Sequence, residues 1–180
     1  VFLIDEINRG NLSKVFGELM LLIEPDKHGP EWALPLAYHR EGDARFYVPK
    51  NVHLLGMMNT ADRSLAVVDY ALRRRFVFVD LEPEFKSPRF HDHLTSRGVT
   101  PALAEKIVTR LTNLNKDIAS DTTNLGPGFR IGHSFFCPSQ GPSDEAWYRS
   151  VVETEVGPLL REYYFDNLEK ADEKIKGLLT

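Results

Sequence analysis

Cysteine is nearly absent: Cys137 is the one thiol in 180 residues. No disulfide can form within the chain, which fits a reducing cytoplasm. Long apolar runs are missing too. No stretch nears the roughly 20 residues that a membrane-spanning helix needs, so no membrane association is expected. A basic excess is lacking: 22 Lys and Arg face 26 Asp and Glu, for a net charge of -4. A nucleic-acid surface usually shows the opposite balance, although these totals leave room for a local patch. The first residue is Val1, not methionine, and Asp5 and Glu6 follow at once, so nothing resembles a leader peptide. The start reads as a truncation. Repeats and low-complexity tracts are missing, and the histidines lack metal-ligand spacing. His91 and His93 flank Asp92, a spacing that is poor evidence for a metal. What is present is ordinary globular material, 42% hydrophobic and 27% charged, enough for a sizeable core.

Residues 1–4 and 52–58 are apolar runs that stop abruptly at polar side chains. That pattern predicts two buried strands of a parallel sheet, which deliver chemistry at their carboxyl ends. Between them, Phe16, Leu19, Met20, Leu22 and Ile23 recur at helical spacing and predict a helix over 13–24, closed by Pro25 and Gly29-Pro30. Residues 32–38 and 45–48 flank the polar turn Arg40-Glu41-Gly42-Asp43, which predicts a β-hairpin. A helix capped by Asp62 or Ser64 is expected to run to about Arg75, followed by a third strand over 76–81, rich in Val and Phe. Residues 83–88 read as a linker. Beyond them, helices are expected over 101–119, 144–156, 158–167 and 171–179, with a Gly/Pro loop over 123–132. The expected division is an α/β part over 1–81 and a small all-helical part over 82–180.

Four motifs carry chemistry. In Asp5-Glu6-Ile7-Asn8-Arg9, an apolar strand ends in two carboxylates. One suits a magnesium ion held by phosphates, and the other suits orienting or activating a water. A solvated acidic turn is the plain alternative. In Asn59-Thr60-Ala61-Asp62-Arg63-Ser64, a carboxamide at a strand end can bond both a water and a γ-phosphate oxygen. Capping by Asp62 and Ser64 is compatible with that role. Arg73, Arg74 and Arg75 lie at a helix carboxyl end, where the helix dipole favours cations. The dipole does not explain three guanidinium forks, which suit phosphate. In 126–134, Arg130 and His133 suit contact with phosphate or base, or a satisfied hydrogen-bond cluster. No Gly-x-x-x-x-Gly-Lys-Ser/Thr run occurs in the 180 residues.

Residues 5–18, 58–76 and 128–134 together resemble the McrB-like family of AAA+ GTPases. Residues 1–6 have the form of a Walker B strand and residues 54–64 look like a sensor-one strand. The resemblance implies a P-loop AAA+ α/β fold, partial because the phosphate-binding loop is missing, followed by a helical lid. It implies GTP hydrolysis with Mg2+, hexameric rings, an McrC-type endonuclease partner, and translocation of DNA that the nuclease cuts near methylated cytosines. By the same likeness Asp5 would coordinate magnesium, Glu6 would activate water and Asn59 would be the sensor. Asp62 and Arg63 would lie in the signature loop. Arg9 and Arg73, Arg74 and Arg75 would act at the ring interface. Arg130 and His133 would contact the nucleotide. Without the loop's backbone donors and lysine, these residues alone are expected not to bind or hydrolyse GTP and to expose a sheet edge. The alternatives are an ATPase of the MoxR- or dynein-related remodelling branch, or a non-catalytic AAA+ interaction module.

Overall fold

A computed structural model of the chain describes residues 1–59, 61, 73–138 and 143–180. It divides into two compact units, Val1–Asp80 and Leu81–Thr180.

In the first unit, β1 (Phe2–Ile4) pairs in parallel with β2 (Leu54–Gly56), in the register Phe2 with Leu54, Leu3 with Leu55 and Ile4 with Gly56. The strands lie where the apolar runs place them, but they are not buried: Phe2 is 60% and Leu3 54% exposed. A parallel strand is covered on both faces only where other layers pack on it. Among the described residues this sheet has two strands. The small core beside it centres on Ile7 and Ile23, with Ile4, Phe16, Met20, Leu54, Met58 and Phe76 packed around them.

The helix expected over 13–24 is broken. α1 (Leu12–Phe16) is capped by Asn11, whose side chain accepts from the Lys14 N–H at 3.0 Å. Gly17 then takes φ of +48°, open to glycine and strained for other residues, and a 3₁₀ run follows over Gly17–Ile23. The hairpin expected over 32–48 shrinks to one antiparallel bridge, Leu34 with Phe46. Around it the backbone bonds elsewhere: the Ala37 N–H donates to Glu18 Oε1 at 2.7 Å, and the Arg40 N–H donates to Asp43 Oδ2 at 2.8 Å. The third strand expected over 76–81 does not form. Val77 and Val79 stand exposed, with no ladder partner among the described residues. The helix expected from Asp62 or Ser64 lies outside the described residues except for its end at 73–75.

The second unit is helical. α2 (Pro88–Ser96) is capped by Ser87, and α3 (Pro101–Ser120) by Thr100. α3 buries Leu103, Ile107, Leu111, Leu114 and Ile118, the stripe its sequence shows. α4 (Glu145–Val151), capped by Asp144, runs through a π-turn over Val152–Val156 into α5 (Gly157–Tyr163). α6 (Leu168–Leu179) starts three residues earlier than its apolar spacing suggests, because the Asn167 side chain accepts from the Lys170 N–H at 3.0 Å and caps it. Residues 83–88 are no free linker. Phe85 is buried, its ring centroid 5.5 Å from that of Phe90 and 6.2 Å from that of Phe136.

Candidate functional site

The chain leaves β1 and β2 at the same sheet edge. Past Ile4 it turns sharply: Glu6 adopts the left-handed conformation, φ 48° and ψ 42°, and opens a 3₁₀ turn over Ile7–Arg9. That conformation is uncommon for a residue with a Cβ. Local bonds hold it. The Glu6 N–H donates to Asp5 Oδ1 at 2.9 Å, and the Glu6 carbonyl accepts from the Arg9 N–H at 2.8 Å. The turn is also zipped to the residues after β2. Met57 N–H donates to the Ile4 carbonyl, and Ile7 N–H donates to the Met57 carbonyl, both at 2.9 Å. Gly56 lets the turn come this close, since a Cβ there would lie 2.7 Å from Ile7 Cδ1.

Asp5, Glu6 and Asn59 therefore gather at one end of the sheet. Asp5 and Glu6 are exposed. Glu6 Oε2 meets Arg9 Nε at 3.0 Å, an exposed ion pair worth about 0–1 kcal/mol. Asn59 Oδ1 accepts from the Ala61 N–H at 3.0 Å. Beneath them Asn8 is buried. Its Nδ2 donates to the Asn59 carbonyl at 3.3 Å, and its Oδ1 has no partner among the described residues. Asp62 and Arg63 lie outside the described residues.

The three arginines differ. Arg73 lies over the Phe78 ring, 5.6 Å from its centroid. Arg74 is exposed. Arg75 pairs with Glu24 at 2.8 Å. Together Glu24, Pro25, Asp26, Arg74 and Arg75 line an open groove of about 400 Å³.

In the second unit, Arg130 and His133 are engaged within their own unit. Arg130 Nε donates to the Pro127 carbonyl at 2.9 Å, and Nη2 reaches Glu82 Oε1 at 3.3 Å. His133 Nδ1 accepts from the Glu84 N–H at 3.0 Å, so that nitrogen carries no proton. The loop itself is braced by Asn115, which donates to the Ile131 carbonyl at 2.9 Å and accepts from the Ile131 N–H at 2.7 Å. Burial pushes the Cys137 thiol up from the usual range, which disfavours its thiolate.

Sequence reading passed over Glu24 and Asn115. Asn115 carried a signal, a polar residue set beside Leu111, Leu114 and Ile118 on the apolar stripe of α3. Glu24 carried none, because its partner is 51 positions away.

Residues 1–76 match the AAA domain family of the dynein-related subfamily, and residues 106–172 match the family described as the McrB alpha-helical lid domain. Over 182 aligned residues, 99% of this chain, it is 51% identical to the type IV methyl-directed restriction enzyme EcoKMcrB subunit of Escherichia coli strain K12. The chain is an McrB-like AAA protein. It is also 32% identical, over 47% of its length, to the type II restriction enzyme BsuMI component YdiS of Bacillus subtilis strain 168. The McrB-like chain spans 40% of the length of the first relative and 27% of the second. Among the described residues, no helix is long and apolar enough to cross a membrane.

Proposed function

We infer that this McrB-like chain is part of a GTP-hydrolysing AAA+ motor subunit of a restriction system. In this reading a hexameric ring drives DNA translocation, and an McrC-type endonuclease cuts the methylated DNA. The observation that carries it is the parallel register of β1 and β2. It sends Asp5-Glu6 and Asn59 off the same sheet edge, tied by the Ile7–Met57 and Asn8–Asn59 hydrogen bonds.

In this reading the Asn59 carboxamide, both donor and acceptor, orients a water. Glu6 takes that water's proton as its oxygen attacks the γ-phosphorus, and the bond to the bridging oxygen breaks to release GDP. Asp5 would hold the magnesium ion. The Asp5 carboxylate is exposed, and its Oδ1 accepts from the Glu6 N–H, which orients the group. Magnesium suits a single carboxylate with phosphates and waters, and when bound it would neutralise phosphate charge. Asp62 and Arg63 belong to the signature loop, and Arg130 and His133 to phosphate or base contacts. Arg9 and the run 73–75 face a neighbouring subunit's nucleotide. The chain's 180 residues alone do not turn over GTP in this reading, because they hold no phosphate-binding loop.

The choice of guanine over adenine rests on the likeness to McrB. The match to the dynein-related subfamily favours a second reading, an ATP-driven remodelling subunit. A complete subunit carrying these residues, assayed with an McrC-type nuclease, separates the two. GTP turnover coupled to cutting of methylated DNA is expected. ATP turnover without cutting would favour remodelling.

A further inference from the structure

The arginine run is anchored at its Arg75 end. Arg75 Nη2 meets Glu24 Oε1 at 2.8 Å, and the Arg75 side chain is only 12% exposed, against 30% for Glu24. Its sequence neighbour Phe76 packs on the core cluster that contains Ile23, the sequence neighbour of Glu24. An apolar contact and an ionic contact therefore sit side by side. Glu24 has a stiff support. Its N–H donates to the Leu21 carbonyl at 3.3 Å, its carbonyl accepts from the Lys27 N–H at 2.9 Å, and Pro25 fixes the next φ. Arg74 comes one residue before this anchor, and it is exposed at the groove that Glu24, Pro25 and Asp26 help to line.

We propose that Glu24 is a positioning residue. Through Arg75 it fixes the backbone from which Arg74 projects, so that Arg74 can meet the triphosphate bound by a neighbouring copy of the chain. This rests on the reading above that the run faces a neighbour's nucleotide. Arg75, desolvated and committed to a carboxylate of its own unit, is the strut. Arg74 is the guanidinium left for an external anion. Placement matters because a 1 Å error at a group that stabilises a transition state costs on the order of 100-fold.

The test uses the complete subunit assembled into rings. Glu24→Gln keeps the side chain's shape and removes its charge. Expected is a fall in kcat of about 10- to 100-fold, with KM and ring assembly unchanged. A second measurement separates positioning from mere support. Glu24→Gln subunits keep Glu6, and Glu6→Gln subunits keep the Glu24–Arg75 strut. Mixed rings join the intact halves at shared interfaces, and their turnover should exceed that of either variant alone. Wild-type kcat in Glu24→Gln rings would overturn the proposal, and so would a fall that mixing does not recover. Absence of turnover in wild-type rings would instead overturn the functional reading itself.

Discussion

Asn8 donates a hydrogen bond from its buried side chain to the Asn59 carbonyl, joining the turn after β1 to the residues after β2 at 3.3 Å. With the Ile7–Met57 bond beside it, the acidic pair and the carboxamide cannot drift apart without breaking buried polar contacts. The backbone segments that carry Asp5, Glu6 and Asn59 are thus held together at the carboxyl end of the two strands.

Gly56→Ala should strain that constellation. The new Cβ would lie 2.7 Å from Ile7 Cδ1, and overpacking of this kind costs about 1–3 kcal/mol. Ile7→Val removes the offending carbon. The double variant should therefore unfold at a higher denaturant concentration than additivity of the single variants allows. Strict additivity would show that Ile7 and Gly56 are uncoupled.

Asn115→Ala should destabilise the helical unit by about 2–4 kcal/mol, because both the N–H and the carbonyl of buried Ile131 lose their partner. Thermal unfolding monitored by far-ultraviolet circular dichroism reads this out. A loss near that of an exposed surface substitution would contradict the brace.

The helical unit should lose stability in acid partly through Asp121. A hydrogen bond from the Lys170 ammonium, at 3.1 Å, and another from Asn124 hold this carboxyl below its ordinary value. A carboxyl lowered in the folded state adds stability above its unfolded value, near 3.9, and that contribution fades as pH falls through the folded value. Unfolding midpoints should hold between about pH 7 and 5 and decline below about 4. Asp121→Asn should flatten part of that decline.

The strand positions, the stripe of α3 and the acidic and amide termini of the two strands could all be read from residue order, because each depends on neighbours close in sequence. Most of the failures depend on distant partners, whereas the break of the expected 13–24 helix at Gly17 is local. Over 32–48 the Ala37 N–H binds Glu18, 19 positions back, and among the described residues one bridge forms, Leu34 with Phe46. The run over 76–81 has strand composition, but a strand needs a ladder partner and none is present among the described residues. Residues 83–88 looked like a linker until Phe85 found Phe90 and Phe136. The Glu24–Arg75 pair escaped for the same reason: charge partners far apart in sequence leave no local pattern.

The 180-residue chain should not bind GTP with magnesium at micromolar concentration in isothermal titration calorimetry, since no loop of backbone donors with a lysine is present to cradle the β- and γ-phosphates. Micromolar binding would show that these 180 residues suffice without such a loop.

The most direct test of the shared site is single-turnover GTP hydrolysis by the complete subunit, comparing wild type with Glu6→Gln while nucleotide affinity is measured in parallel. Expected is retained affinity with hydrolysis slowed about 10²- to 10⁴-fold, the contribution of a positioned general base. Hydrolysis by Glu6→Gln at the wild-type rate would remove Glu6 from the chemistry, and with it the claim that the two strand ends serve one triphosphate.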